Sequence, residues 1–506
     1  MKKLLILALL AVPSAMCATT PTAQWWIWRA ADGGNDSNGG GFDPGIPGAG
    51  TNYANQAAPQ VALTGLAYVS GNTSKTLTAT GTPFTSAMVG NAIQITGGTN
   101  LNKNIYWVVQ YNSPSSVNID RDPTTGSNGS AGTGNLGGAL ATLCNLSTTG
   151  SGFLPNLLSD TSALAAGNTI NIRGSGSADA PTGGSGCPNC DYDFSAGWWG
   201  FAAGNIAGGA IKVVGFNGRP QIAHSNLISH QADNWVWQHI KFVNKTNLYP
   251  AFGISLAIET LIDCIVDANG YDAIGFGGRS VRLSEFRNTG ATTPGGTYYA
   301  VQTDQYGTLV VGNYIHNWRG GGVYPGGGAA FSGAVRNNLI VNNGGHGIRV
   351  NPNAAIAGET FMVDGNTADS NTGDALHVDS TTGVAFTTVT NNIFSNSGAY
   401  GLNVAAGTTT LNAASILDVW DCNNFFQNST GDRNNFPVGP NDLALDPQYV
   451  SAASANYAIG KNLKGAGCPG SFLGSATISY LDIGGAQRQE AGSGGGGAVT
   501  TVHSIQ

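Results

Sequence analysis

Three side chains in the second half of the sequence, Tyr324, Arg349 and His377, have the clearest capacity for chemistry. Each is the third residue of a four-residue phrase that reads small, apolar, variable, usually apolar. This alternation predicts a short β-strand whose apolar residues point inward and whose third residue points to solvent. A phenol or an imidazole can move a proton, and a guanidinium can neutralise a carboxylate. These groups suit the removal of a proton next to a carboxylate, as in β-elimination.

The phrase recurs in six copies, so its third positions predict an outward column. From first to last, the column reads Gly275, Gln302, Tyr324, Arg349, His377 and Asn403. Because neighbouring parallel strands lie about 4.8 Å apart, the three reactive residues should occupy adjacent rungs within about 10 Å. We therefore expect Tyr324, Arg349 and His377 to be catalytic.

Other polar residues stand close to this column. Asp304 and Asp379 follow it by two positions, while His346 and Asp374 come just before it. We expect substrate to be bound by Gln302, Asp304, Asp379 and Asn403. An ordinary solvated side chain is the better explanation for any single member, so the argument depends on the cluster as a whole.

The elements that position the column come from a second repeat: a polar residue, an apolar one two positions later, then usually Asn or Asp. Its copies begin 21 to 32 residues apart, at Asp263, Ser284, Asn313, Asn338, Asn366, Asn392 and Asn424. A period of this size is typical of a solenoid, whose strands bury their faces by stacking on the next copy. Asn residues repeated at one position can hydrogen-bond from rung to rung.

At these repeats the chain resembles the right-handed parallel β-helix proteins of the pectate-lyase-like superfamily, over about residues 168–490. The resemblance implies an all-β fold, a right-handed parallel β-helix (solenoid) with capped ends. It implies no single activity, because the superfamily includes lyases, hydrolases, tailspikes and adhesins. Stacking of the coils further predicts one buried column, made of Ile274, Ile348, Leu376 and Leu402.

A hydrolase that uses two carboxylates is disfavoured by the sequence. Inverting glycosidases place their carboxyl groups about 6.5 to 9.5 Å apart. Asp374 and Asp379 flank one strand and are expected about 17 Å apart. The motifs of polygalacturonases occur only as fragments, such as Gly345-His346-Gly347, and single acids stand where that family has paired aspartates.

The ends of the chain have their own signatures. Residues 1–18 resemble a secretory signal, with Lys2 and Lys3 before a short apolar run, and predict a secreted or cell-surface protein. Only 10% of the residues are charged and the net charge is -7. This balance argues against nucleic acid and anionic membrane as partners. No later apolar run is long enough to span a membrane.

The remaining segments are assigned by composition and pattern. We expect an N-terminal strand and loop at 19–60, a small antiparallel β insertion at 61–125, and the parallel β-helix at 168–445. Leu136, Leu140 and Leu143 recur at helical spacing and predict a helical cap at 135–167. Residues 446–490 resemble the closing segment of exported β-helix proteins, and 491–506 should form a mobile Gly-rich tail.

Cysteines and acidic residues limit the expected cofactors. Six of the seven cysteines follow the signal, an even number that permits disulfides. Cys187 and Cys190 favour a local disulfide or free thiols over half of a zinc site. We predict no metal site and no cofactor, with calcium left open at Asp304 or Asp379.

Two classes of function remain open. One is a secreted protein that binds or cleaves an extracellular polysaccharide through the outward column, with β-elimination as the candidate reaction of a polysaccharide lyase. The other is a structural or adhesive surface protein whose solenoid acts as a stiff spacer. The Tyr/Arg/His column favours the first class, and the low charge with abundant Gly favours the second.

Overall fold

The computed structural model describes most of the chain from residue 23 onward. The described residues are 23–141, 167–176, 191–194, 210–224, 235–244, 259–290, 295–303, 307–325, 333–350, 360–379, 386–405, 419–460, 462–464, 466–468 and 484–485. They divide into two compact units, one centred on residues 37–139 and the other on residues 170–506.

The larger unit is a parallel β-solenoid. Successive coils stack so that their strands pair parallel in long sheets. We call these sheets 1, 2 and 3. Sheet 1 of the solenoid consists of Thr169–Arg173, Ile211–Phe216, Trp235–Gln238, Glu259–Ile262, Ser280–Arg282, Thr308–Val311, Gly333–Arg336, Thr360–Asp364, Phe386–Thr390 and Val419–Asp421.

The other two sheets follow the same order along the chain. Sheet 2 has ten strands, namely Tyr192–Phe194, Gln221–His224, Lys241–Asn244, Ile265–Asp267, Glu285–Arg287, Tyr314–His316, Leu339–Val341, Thr367–Asp369, Ile393–Ser395 and Asn424–Phe426. Sheet 3 has six strands, namely Val301–Thr303, Val323–Pro325, Ile348–Val350, Leu376–Val378, Tyr400–Val404 and Gly431–Asn434. Most of these strands have only three to five residues, too few to be stable alone.

Apolar residues at equivalent positions stack in columns inside the solenoid. In sheet 3, Ile348 pairs with Leu376 and Leu376 with Leu402, and all three are buried. The predicted start of this column was wrong by two residues, because Phe276 rather than Ile274 pairs with Val301. Both residues are apolar and buried. They are two positions apart, which is one repeat of the β-strand alternation, so alternation alone could not decide which of them pairs with Val301.

A buried asparagine ladder runs along the corner between sheets 1 and 2. Its members are Asn313, Asn338, Asn366, Asn392 and Asn423, all at most 3% exposed. The Oδ1 of Asn392 accepts the backbone N–H and the side-chain amide of Asn366, at 2.9 and 3.0 Å. Its own Nδ2 donates to the backbone carbonyl of Val363 at 2.9 Å. The ladder therefore satisfies backbone groups that the turn leaves without a strand partner.

Residues after the last coil cover the outer face of sheet 2. Ile459 and Leu463 pack on Ile393, and the Tyr449 hydroxyl lies 3.0 Å from the Ser395 hydroxyl. A disulfide joins Cys422 in the last coil to Cys468. Among the cysteines in the described ranges, Cys264 is a buried free thiol, while Cys144, Cys187 and Cys190 lie outside those ranges.

The smaller unit contains a closed antiparallel barrel. Its strands are Val61–Tyr68, Thr76–Thr78, Ala92–Thr99, Ile105–Ser113, Ser116–Ile119 and Gly129–Leu136. Antiparallel strands Gln24–Ile27 and Gly41–Phe42 precede it, and short 3-10 turns occupy Ser86–Met88 and, in the solenoid unit, Ala30–Asp32 and Ala452–Ser454.

Leu136 belongs to the barrel and not to the predicted helical cap. It pairs with Val61 and Ile93 and is fully buried, because the last strand closes the barrel between the first and third strands. Leu140 is not helical either, since it makes an isolated parallel β-bridge with Ile27. Residues 142–166 of the predicted cap, with Leu143, lie outside the described residues, as do the predicted signal and tail. Trp107 of the barrel packs on Trp25, with ring centroids 4.9 Å apart.

Replacing Asn392 by Ala should destabilise the solenoid, because it leaves the Asn366 and Val363 backbone groups without partners. A buried polar group left unpaired costs about 1 to 3 kcal/mol. Gln238→Ala removes an exposed amide from a strand of sheet 1 and should change stability by less than about 0.5 kcal/mol. Urea unfolding of both variants measures the difference, and equal losses would contradict a stabilising role for the ladder.

Candidate functional site

The outer face of sheet 3 carries the predicted column. Gln302 pairs with Tyr324, Arg349 pairs with His377, and His377 pairs with Asn403. The pairing of Val323 with Ile348 places Tyr324 beside Arg349. We call Tyr324, Arg349, His377 and Asn403 the outer strip. Gly275 lies outside it because of the two-residue register shift in the first coil.

Arg349 is held between an acid and two aromatic rings. Its Nε donates to both carboxylate oxygens of Asp379, at 3.0 and 3.2 Å. Its guanidinium carbon lies 4.7 Å from the centre of the Tyr324 ring, which in turn lies 5.2 Å from the Tyr299 ring. Burial lowers the pKa of Arg349, but the hydrogen bond and charge of Asp379 outweigh it and raise the pKa. The side chain is still 36% exposed, so part of this fixed cation faces solvent.

His377 is clamped by two carboxylates. Its Nδ1 lies 2.7 Å from Asp374 Oδ2, and its Nε2 lies 3.3 Å from Asp379 Oδ1. Burial lowers the pKa of His377, yet the hydrogen bonds to Asp374 and Asp379 outweigh burial and raise the pKa to about 9. The imidazole is therefore a cation at neutral pH, with both nitrogens engaged.

Asp374 is the most connected residue of the cluster and is nearly fully buried. Its Oδ1 accepts the Tyr400 backbone N–H at 2.9 Å, and its Oδ2 accepts the Asn403 amide at 2.9 Å as well as the His377 proton. Burial raises the pKa of Asp374, but hydrogen bonds from His377, the Tyr400 backbone N–H and the Asn403 amide hold the pKa well below its usual range. The carboxylate stays ionised and fixes the two strands around it.

His346 extends the cluster by one ring. It stacks on His377 with centroids 4.4 Å apart. Its Nδ1 accepts the backbone N–H of Asp374 at 3.0 Å and lies 3.3 Å from Asp374 Oδ2. The residue belongs to the turn just before the strand Ile348–Val350, which explains why it reaches the adjacent coil rather than its own column.

The predicted substrate-binding residues have different surroundings. Gln302 is half-buried next to Tyr324, and Asp304 lies outside the described residues. Asp379 bridges Arg349 and His377. Asn403 donates to Asp374 and accepts from Asn434 at 3.0 Å. Asp379 and Asn403 thus hold other residues of the cluster in place, and their predicted contacts with substrate stay predictions.

The expected 17 Å separation between Asp374 and Asp379 was wrong. Both carboxylates contact the same imidazole ring. The sequence estimate treated residues 374–379 as one extended strand, whereas the strand is only Leu376–Val378 and both acids lie beyond its ends. Side chains at both ends can then bend toward the central histidine.

Sequence reasoning missed three residues as members of the site: Tyr299, His346 and Asp374. The latter two stand in the glycine-flanked phrases Gly345-His346-Gly347 and Gly373-Asp374, which are also common turn sequences. Tyr299 gave no periodic signal. Burial raises its pKa to about 12, against the lowering effect of the Arg349 cation.

These stacked sheets define a parallel β-helix, the architecture that the repeats predicted. Residues 254–416 match the family described as "Right handed beta helix region", which confirms the predicted fold. The chain is also similar to the solved structure of pectate lyase Pel9A, at 14% identity, covering 65% of this chain and 90% of that one, with a TM-score of 0.31. For the Agl-KA catalytic domain the identity is 13%, the coverage 76% and 84%, and the TM-score 0.23. No curated protein matches the chain in sequence.

The described part of the chain contains no helix with the length and apolar character needed to cross a bilayer.

The charges of the cluster also balance, since Arg349 and His377 are cations while Asp374 and Asp379 are anions. The site therefore presents fixed hydrogen-bond donors and a ring surface rather than a strong net charge.

A double-mutant cycle on Asp374→Ala and His377→Ala should reveal strong coupling. Because the two side chains share a short hydrogen bond away from solvent, we expect a coupling energy of about 0.5 to 3 kcal/mol in urea unfolding. The matched cycle of Asp374→Ala with His316→Ala should give about 0.3 to 0.5 kcal/mol or less, since His316 bonds to Glu285 elsewhere. Similar values from both cycles would contradict the clamp.

Proposed function

We propose that this protein binds an extracellular polysaccharide along the outer strip of sheet 3, with Tyr324, Arg349 and His377 as the central contacts. The observation that carries the proposal is the strip itself. The Tyr324 ring, a guanidinium and an imidazolium lie side by side, and two carboxylates already satisfy the charges of both cations. Such a surface loses little side-chain entropy when a ligand binds, because its geometry is fixed beforehand.

The chemistry of the strip suits a sugar chain. Aromatic faces pack against the apolar C–H face of a sugar ring, while Arg and Asn amides donate hydrogen bonds to hydroxyl or carboxylate oxygens. Neighbouring rungs lie about 4.8 Å apart along the solenoid axis. A linear polymer that lies along this axis would meet Tyr324, Arg349 and His377 in succession.

Cleavage by β-elimination is the finer form of this proposal. In that reaction, Arg349 neutralises the carboxylate of a uronic acid residue, and the Tyr324 oxygen, as a phenolate, accepts the proton from the carbon next to it. The C–O bond to the leaving sugar breaks as the C=C bond forms. His377, protonated between Asp374 and Asp379, donates the proton that the leaving oxygen takes up. The two acids that clamp it would keep it charged for that step.

A purely structural role is the second candidate. The buried asparagine ladder and the disulfide-fastened C-terminal segment are features of a stiff, stable spacer, and they serve either function. In a spacer, the ion pairs of the strip would only hold adjacent coils together. Secretion or display at the cell surface is part of both proposals and follows from the signal-like residues 1–18.

The test is retention and cleavage on a panel of uronate and neutral polysaccharides. We expect wild-type protein to bind at least one polymer, and Arg349→Ala to bind it about 10- to 100-fold more weakly, since a hydrogen bond to a charged group contributes about 1.5 to 3 kcal/mol. If the protein is a lyase, new unsaturated chain ends should appear with wild type and fall by orders of magnitude in the variant.

The matched control is Arg336→Ala. Arg336 also pairs with an aspartate, Asp364, at 2.9 Å, but it lies on sheet 1. This variant should bind glycan like wild type and retain the fold by circular dichroism. Failure of wild-type protein to bind or cleave any polymer in the panel would overturn the glycan proposal and leave the spacer role.

A further inference from the structure

We infer that His346, Asp374 and His377 form a binding site for one divalent transition-metal ion, of which Zn²⁺ is the natural probe. Each residue offers one ligand atom, namely a ring nitrogen from each histidine and a carboxylate oxygen from Asp374. These three atoms lie within 4.8 Å of one another. The inference stands apart from glycan binding by the strip, and a bound ion, by taking the place of the His377 proton, would replace the proton-donor role of that residue.

The ligand types select the class of metal. Two imidazole nitrogens and one carboxylate are the donor set of catalytic zinc sites, which keep a further position open for water or substrate. Imidazole also suits copper, iron and nickel, whereas calcium and magnesium prefer oxygen ligands alone. Calcium is therefore disfavoured at this cluster.

The surroundings of the three residues are those of supported ligands. Metal-binding histidines usually donate their second ring N–H to a carboxylate or carbonyl, which fixes the ring. His377 has such a partner, because its Nε2 faces Asp379 while its Nδ1 faces Asp374. Asp374 is likewise fixed, by the Tyr400 backbone N–H and the Asn403 amide.

Access is also suitable for an ion with an open coordination position. The carboxylate of Asp374 is 3% exposed, whereas the side chains of His346 and His377 are 29% and 18% exposed. The anion thus lies at the bottom and the two rings at the rim. An ion held there would face solvent on the same side as Arg349 of the outer strip.

Metal binding would replace existing hydrogen bonds. The ion would take the place of the shared proton between His377 and Asp374, and it would compete with the Asp374 backbone N–H for His346 Nδ1. The stacked rings must tilt for both lone pairs to meet the ion. These movements are small because all three residues already face one another across two adjacent coils.

Isothermal titration of the metal-free protein with ZnCl2, in the absence of glycan, tests the site. We expect one equivalent to bind and the melting temperature to rise with free Zn²⁺, while CaCl2 has no such effect. Changing a supporting residue of a metal site typically costs 10- to 100-fold in affinity. Loss of a ligand in His346→Ala should cost at least as much.

The control variant is His316→Ala. His316 also bonds to a carboxylate, that of Glu285, at 2.9 Å. Among the described residues, however, it belongs to no group of three side chains that could hold a metal ion. It should bind Zn²⁺ like wild type. His346→Gln, which keeps a polar side chain of similar size, guards against misfolding of the alanine variant. Absence of wild-type binding, or equal binding by the His346 variants and wild type, overturns the inference without touching the glycan proposal.

Discussion

The asparagine ladder is the interaction on which the rest of the solenoid depends. Each coil turns sharply between sheets 1 and 2, where backbone N–H and C=O groups point into the buried interior. The ladder from Asn313 to Asn423 pairs these groups, and it ends on Asp442, whose Oδ1 accepts the Asn423 backbone N–H at 2.8 Å. Because each asparagine bonds to the next coil, the ladder also fixes how consecutive coils align.

That alignment determines the site. Strands of three residues have too few hydrogen bonds to hold a register on their own, and a slip of one residue would turn every side chain to the other face. With the coils locked at the corner, Arg349 and His377 are held on neighbouring rungs. The ion pairs on the outer face then add to an arrangement that the interior has already set.

The sequence predicted the parts of the structure that are periodic. The repeats indicated the solenoid, the inward column from Ile348 to Leu402 and the neighbouring positions of Arg349 and His377. The sequence could not decide whether Ile274 or Phe276 begins the inward column, because both residues satisfy the same alternation. The positions of Asp374 and His346 depend on turn geometry, which a repeat of variable length does not encode, and Tyr299 reaches the strip only through tertiary packing.

Asp379 is shared by two cations of the site, and a ligand that binds the outer strip must compete with it or bind beside it. Asp379 contacts both Arg349 and His377, so a ligand carboxylate that approaches Arg349 competes with an acid already in place. The exchange costs little if Asp379 keeps its contact with His377 while the ligand takes the exposed side of the guanidinium. The pairing therefore favours ligands that bind beside Asp379, through the exposed part of the Arg349 side chain and the Tyr324 ring, over simple anions that must displace Asp379. A sugar chain, with hydroxyl groups and a packing face next to each carboxylate, meets that condition better than an isolated ion.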